Sequence, residues 1–570
     1  MIKLPEDIDV SNKKPRGREK LYLVIITIVI TLLTMIVIAG NYLYQKIDSN
    51  DGREICPIID KIAPKESDGL RSTDFIFDES YKKKSLEAWT KAIQIPSISY
   101  DDMGEVGEDS RWNVFKCFDS YFNSTFPKVS SRFDLIHVNT YGLVYILNGT
   151  DKTKKPLLLT AHTDVVPVPE NTIPRWTYPP FEGHFDGECV WGRGAEDCKN
   201  SLVAIFESLE LLLGQGFTPK RTIVLGIGFD EEISGHHGAY HIGQYLLNRF
   251  GPDSIYLLLD EGGNISEDVY GSSFALPATG EKGYVDVFIK LATTGGHSSI
   301  PPSHTSIGIM AKIIDAIEDE PYEPQLIEEN PYYKMLQCAA EHSESMDPKL
   351  RKNIRSMHLE SSKKKVIKAI AENISSKYFI STSQAVDIIH GGLKINALPE
   401  EVVTEVNHRI IYGSSIGQIR EKVLRAVRPV AKRFGLSIDA FGVRMEFGDS
   451  TPLGKVTLTT YDGLQTAPVT PIENNPTWKL LSGTIRHVFE DSKSAFNVNQ
   501  KPIFVAPSIM SGNTDTRHYW NLTKNIYRFN PIRGDYSYNI HAIDERVHLD
   551  AHLETVAFFY DFVRNADQIR

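Results

Sequence analysis

Leu157, Leu158 and Leu159 run without interruption into Thr160-Ala161-His162-Thr163-Asp164. A short apolar run of this kind predicts a strand buried on both faces, with the polar residues at the end where it emerges. That is the edge where α/β folds keep their chemistry. TIVLGIGF (Thr222 to Phe229) and IYLLL (Ile255 to Leu259) repeat the pattern. Between them Leu202, Ile205, Phe206, Leu209, Leu212 and Leu213 recur at helical spacing, with Gly214 and Gly216 to stop the helix. An earlier helix, SLEAWTKAIQI, ends at Pro96, and late in the chain IFVAPSIM reads as a strand before a final helix near Leu553 to Val563. Strand alternating with helix predicts an α/β fold with a mostly parallel central sheet flanked by helices.

At Glu281-Lys282-Gly283 the period changes. Val285, Val287, Ile289 and Leu291 alternate with more polar residues, and a helix with Ile307, Met310, Ile314 and Ile317 on one side follows. A second such unit spans Glu401 to Phe447, with Ile419, Val423, Val427, Val430 and Phe434 as the helix face. Residues 284–450 are therefore expected to form a smaller α+β domain inserted into a catalytic domain of residues 81–283 and 451–570. Within the insert, residues 321–380 read as charged helix, with Lys363, Lys364 and Lys365 on a solvated surface.

The N-terminal pattern differs again. Leu21 to Gly40 carries no charge, and at about 1.5 Å per residue it spans roughly the 30 Å of a bilayer core. It exceeds the apolar segment of a cleaved signal peptide, about 7 to 15 residues, and so predicts an uncleaved transmembrane anchor. Lys13, Lys14, Arg16, Arg18 and Lys20 precede it, whereas charges beyond it are mixed, which places residues 1–20 in the cytosol and the rest in a lumen, as a single-pass type II protein. Residues 41–80 read as a stalk. Five glycosylation sequons, at Asn123, Asn148, Asn264, Asn373 and Asn521, all fall on the lumenal side. The five cysteines lack CxxC spacing, which excludes a thiolate zinc finger and leaves at least one thiol unpaired within the chain. With 570 residues, 41% of them hydrophobic, the chain can bury several cores; a net charge of -11 without a long basic run argues against a nucleic-acid partner.

Acids cluster where the strands end: Asp230, Glu231 and Glu232 after one, Asp260 and Glu261 after another, Asp197 after GRGAE, and His541 near the C-terminus. Residues two apart on a strand end point the same way, so Asp164 can hold the His162 ring and fix its tautomer. Two histidines and several carboxylates on one sheet edge would repel and desolvate one another unless cations sat among them. Mixed imidazole and carboxylate donors suit two Zn²⁺ ions, with Co²⁺ or Mn²⁺ as substitutes. Of the neighbouring Glu231 and Glu232, one can ligate while the other moves a proton.

The succession LLLTAHTDVVPV, GRGAEDCKN, FDEEISG, DEGG, TTGGHSSIPP, GGLKINALPE, SGNTDTRHYW and HAIDERV resembles the co-catalytic dizinc exopeptidases, the family of aminoacylase, glutamate carboxypeptidase and fungal carboxypeptidase S. The resemblance implies His162 and Asp260 on one zinc, Glu232 and His541 on the other, and Asp197 bridging. It further implies Glu231 as general base, Asp164 as the partner of His162, and a cis peptide after Asp197, where Cys198 replaces a common acid and Asn200 a common glycine. His297 would steady the oxyanion, in dimeric members from the partner subunit. Arg409, Asn396, Gly512 and Thr514 would cradle the substrate's carboxylate, a task that suits a guanidinium. The activity so implied is a membrane-anchored carboxypeptidase acting on short or N-blocked peptides. The alternatives are an N-acyl amino acid hydrolase or synthase and a non-catalytic lumenal glycoprotein. The resemblance also implies a lid that can form a homodimer, and residence in the vacuole.

Overall fold

In the computed structural model, which describes residues 25, 27–39, 54–447, 453–497 and 501–569, the apolar runs become the interior of one large sheet. The strands that position the site and its lid are, in chain order, β1 (Asp134–Val138), β2 (Gly142–Leu147), β3 (Leu157–His162), β4 (Ile223–Gly228), β5 (Leu257–Val269), β6 (Gly283–Thr293), β7 (Ser383–Gly391), β8 (Glu401–Ile410), β9 (Gly454–Leu464) and β10 (Ile526–Arg533). The central sheet is ordered β1-β2-β4-β3-β5-β10 and continues through the short strands Ala278–Glu281 and Ser508–Met510. Its middle, β4-β3-β5-β10, is parallel, but β1, β2 and β4 pair antiparallel. The sheet is therefore mixed rather than mostly parallel, because β1 and β2 form a hairpin, a connection that needs no crossover helix.

β3 is buried at every position, as its unbroken apolar run demands. Helices α1 (Lys199–Gly214) and α2 (Leu549–Gln568) pack against each other, and Phe558, Tyr560 and Phe562 of α2 join Leu202, Phe206 and Leu209 of α1 in the main core. The run IFVAPSIM is broken into two short strands, Ile503–Val505 and Ser508–Met510, on either side of Ala506-Pro507, since proline has no N–H for a ladder.

β10 has no counterpart in the sequence reading. Its charges hid it: Arg528 and Arg533 interrupt the apolar run, yet both are buried and paired. Arg528, with no exposed surface, lies 3.1 Å from Glu281 and donates to the Thr516 hydroxyl. Arg533 meets Glu554 at 2.9 Å and also pairs with Glu267.

The inserted domain is a six-stranded sheet ordered β7-β8-β6-β9, then Leu436–Ala440 and Val443–Met445. Val285, Val287, Ile289 and Leu291 of β6 alternate inward against Met310, Ile313, Ile419 and Val423 of the two covering helices, Ser306–Glu318 and Ile416–Arg433. Because β9 pairs with β6 from Tyr284 to Thr293, the insert runs to about residue 464, beyond the expected 450. Residues 321–380 contain four helices that bury Tyr332, Leu336, Ile354 and Ile370 against Phe274 and Ile509; Lys364 and Lys365 remain exposed.

Residues 54–80 are not a free stalk. Phe75 and Ile76 are buried in the main core, Asp68 pairs with Arg564 at 2.9 Å, and Cys56 is disulfide-bonded to Cys338. Residues 25 and 27–39 are helical with exposed apolar side chains. Among the described residues no helix is long and apolar enough to cross a membrane. The expected tail, 1–20, and parts of the expected anchor and stalk (21–24, 26 and 40–53) lie outside them. Of the sequon asparagines, Asn123, Asn148, Asn373 and Asn521 are exposed, whereas Asn264 is half-buried within β5, packed beside Gly534, and so is not the surface loop position expected.

Removing one partner of a buried ion pair leaves the other charge desolvated, at a cost of about 3–5 kcal/mol. Arg528→Met is therefore expected to lower the urea midpoint and the melting temperature strongly, while a surface control, Lys365→Met, leaves both unchanged; unchanged melting of Arg528→Met would contradict the role given to this pair.

Candidate active site

β3 and β4 are in register from Leu157/Ile223 to His162/Gly228, so both end at the same edge. His162 sits there, 1% exposed, and the turn after β4 brings Glu231 and Glu232 alongside. Asp164 ties the two ends together. One of its oxygens lies 3.1 Å from His162 Nδ1 and accepts the Glu231 amide at 3.1 Å; the other accepts the Glu232 amide at 3.1 Å and the Ser99 hydroxyl at 2.7 Å. With Nδ1 engaged in this way, His162 turns Nε2 toward the open edge, 3.2 Å from Asp197 and 3.2 Å from Glu261.

Asp197 arrives from the turn before α1, and its peptide bond to Cys198 is cis, as the resemblance implied. Its second oxygen meets His541 Nε2 at 2.9 Å, and the same nitrogen lies 3.2 Å from Glu232. His541 holds a left-handed backbone, φ 58°, in the loop that presents it. Donor atoms of His162, Asp197 and Glu232 all lie within 4.8 Å of one another, as do those of His162, Cys198 and Glu261.

The structure thus brings the side chains of His162, Asp197, Glu232 and His541 together. Asp260 is beside them, buried, with Oδ2 lacking any partner, but Glu261 is the carboxylate that meets His162. The signal for Glu261 was the acid pair in DEGG; which of two adjacent acids faces the histidine depends on the irregular register between β5 and β10 after Asp260, which pattern reading does not show. Asn200 is buried under the site, bonded to His552.

The charge balance calls for a cation. Burial, then Asp197, pushes Glu232 up to about 7; burial raises Glu261 to about 8 and Asp260 to about 6. Burial and then Glu261 raise Glu231 well above the carboxylate range. Hydrogen bonds to Asp197 and Glu232 lift His541 to about 10. With the buried, unpartnered oxygens Asp260 Oδ2 and Glu232 Oε1 and the two imidazoles, this donor set fits a pair of divalent ions.

A cavity of about 340 Å³ opens from these residues toward the lid, lined by Glu231, Glu232, His541, Arg409, Gly512 and Arg517 among others. Arg409 donates to Asn513 at 2.9 Å and faces the Tyr284 ring. Thr514 lines the cavity, but its hydroxyl donates to Glu281 at 2.6 Å, which makes it a support for Asn513. Arg517, unassigned in the sequence reading although it ends the TDTR of SGNTDTRHYW, is held by Tyr284 and the Ser234 carbonyl. His297 and Asn396 do not line this cavity. They lie together on an exposed ribbon, Gly296–His297 against Ala397–Leu398, where Ser298 donates to the Asn396 carbonyl at 3.2 Å.

Residues 158–565 match the family described as peptidase family M20/M25/M40. The chain belongs to this family. It is 39% identical to carboxypeptidase S of Saccharomyces cerevisiae, over 90% of this chain and 89% of that one. It is 31% identical to the N-fatty-acyl-amino acid synthase/hydrolase of Mus musculus, over 88% and 92%. Its fold resembles human carnosine dipeptidase 1, with a TM-score of 0.60 at 13% identity, covering 89% of this chain and all of that one. The chain is thus an M20 metallopeptidase, and His162, Asp197, Glu231, Glu232, Asp260 and His541 all fall within the matched residues.

The pKa shifts predict a pH signature. Metal-free, the folded protein keeps protons on Glu232 and Glu261 up to about 7 and 8, against 4.5 for free glutamate, and on His541 up to about 10, against 6.5. The folded state binds more protons in both cases, so stability falls as pH rises from 6.5 to 8. The chelated protein should melt lower at pH 8 than at pH 6.5, and Zn²⁺ should reverse that order, because ligands must lose protons to bind it. Greater stability of the chelated protein at pH 8 would refute the assignment.

Proposed function

We propose that this M20 metallopeptidase is a zinc carboxypeptidase that releases the C-terminal residue of short or N-blocked peptides. The observation that carries the reading is one cavity lined by both Glu231, beside the metal-ligand set, and Arg409, a guanidinium suited to a terminal carboxylate. Arg409 and Asn513 hold the carboxylate, and Gly512 leaves room for it: a Cβ built there meets no atom within 4 Å. Glu231 takes the proton of the attacking water and passes it to the departing amine. Two zinc ions bound by His162, Asp197, Glu232, His541 and the Asp260-Glu261 pair would polarise the scissile carbonyl and acidify that water; Co²⁺ or Mn²⁺ suits the same donors.

His297 steadies the oxyanion and Asn396 completes the cradle from a second copy of the chain. In support, both lie on an exposed ribbon away from their own cavity, beside Ile300 and Ile395, 83% and 98% exposed. The chain is anchored through Leu21 to Gly40 with its catalytic part in a lumen, and the vacuole fits that placement. The exposed apolar helix supports the anchor, and the Cys56–Cys338 disulfide supports an oxidising compartment. Hydrolysis or synthesis of N-acyl amino acids is the second reading, favoured by the likeness to the mouse enzyme and open to the same machinery.

The test is amino acid release from blocked dipeptides by the full chain in detergent with Zn²⁺. Glu231→Ala should retain zinc while kcat falls at least about a hundredfold. Arg409→Met should lower kcat/KM about tenfold or more, since a hydrogen bond to a charged group contributes roughly 1.5–3 kcal/mol. Wild-type release that survives Glu231→Ala would rule out the assigned base.

A further inference from the structure

His541 borders two cavities. On one side lies the polar cavity of Arg409; on the other a groove of about 670 Å³, walled by Val166, Pro167, Pro169, Trp176, Ala542 and Ile543. The walls are built from the segment that follows β3 past Asp164 and from the loop that presents His541, so both lead straight into the ligand cluster. Trp176 is buried under the Arg193 guanidinium, 5.5 Å from its ring centroid. Arg193 is in turn neutralised by Glu545 at 2.6 Å, and Glu545 accepts the Glu196 amide at 2.9 Å, which fixes the groove to the turn carrying Asp197. Thr172 and Asn539 add polar groups to the wall, and Arg175 a charge that no such pair covers.

We infer that this groove receives the acyl side of the substrate and selects apolar groups there. The inference rests on the reading above: with the carboxylate at Arg409 and the scissile carbonyl between Glu231 and His541, the acyl group leaves past His541, and the groove that shares His541 is apolar. The occupant is an apolar group on the scissile carbonyl, whether an alkyl chain or an N-blocked hydrophobic residue. A polar or anionic acyl group would lose hydration against proline, valine and isoleucine along most of the wall, with only Arg175, Asn539 and Thr172 to offer it partners.

The experiment measures kcat/KM for one amino acid carrying acetyl, hexanoyl or decanoyl groups, with a benzyloxycarbonyl-leucyl arm, using the zinc-loaded full chain. Burial of each methylene should raise kcat/KM roughly three- to fourfold until the groove is filled. Preference for decanoyl alone identifies an alkyl-chain site; comparable preference for the benzyloxycarbonyl-leucyl arm identifies a peptide site. Val166→Asp and Thr172→Trp, one adding charge and the other bulk to the groove, should each lower the decanoyl-to-acetyl ratio at least tenfold, with melting temperature as the folding control. No dependence on acyl size, or a dependence untouched by either variant, overturns the inference. Should no substrate release its amino acid, the hydrolase reading fails on its own, and calorimetry with the same compounds on zinc-loaded Glu231→Ala still decides the groove: decanoyl binding tighter than acetyl, and weakened by Val166→Asp, upholds it, whereas equal affinities overturn it.

Discussion

The carboxylate of Asp164 is the point on which the site depends. It is fully buried, a position that disfavours a carboxylate unless donors surround it, and four supply that need: the His162 ring, the Ser99 hydroxyl and the amides of Glu231 and Glu232. These bonds fix three separate things. They set which nitrogen of His162 faces the edge, they hold the turn after β4 against the end of β3, and they dock the segment around Ser99. An aliphatic residue at 164 would lose the docking of Ser99 and of the turn after β4 together, and would leave His162 Nδ1 only the main-chain carbonyl of residue 164, also at 3.1 Å.

From that anchor follows the site's central tension. Fixing Glu231 and Glu232 by their backbones leaves both carboxyls beside Asp197, Glu261 and Asp260, a density of negative charge that burial alone would keep protonated. Two imidazoles ease the repulsion in the protein itself, and a pair of divalent ions would remove it. Polarity is then divided at His541. Arginines 409 and 517 give one side positive charge suited to a carboxylate, while the other side is mostly proline and aliphatic, with Arg175 its one charge outside an ion pair named above.

What was legible in the chain was whatever had a local cause. β3 and β4 could be read because buried parallel strands are apolar at every position, and the acids stood out because they follow those runs directly. The start of the second sheet was visible in the change from unbroken to alternating apolar residues at Gly283. What escaped depended on distant partners. β10 carries arginines whose partners, Glu281 and Glu554, come from elsewhere in the chain, so its run looks like a surface segment until those pairs are known. The packing of residues 54–80 rests on contacts with Gly483, Arg564 and Cys338, hundreds of positions away, and a polar composition reads as a stalk without them. That Glu261, besides Asp260, comes to the site goes with a local irregularity of the strand, which leaves no mark on composition.

The lid carries the last step. Its sheet is closed on one face by two helices, but the ribbon holding His297 and Asn396 and the neighbouring Ile300, Leu393 and Ile395 face outward. Single exposed aliphatic residues are ordinary; three beside a histidine and an asparagine that miss their own chain's cavity are a surface that gains by being covered. Closure of the same chain's lid would have to carry this ribbon to Arg409, although β8 holds Arg409 and Asn396 precedes that same strand, so the two move as one body. A residue rigidly joined to the cradle but outside the cavity does not reach it by domain rotation. Under the function proposed above it completes the cradle across an interface, and that makes the second copy part of the proposed mechanism rather than an accessory to it.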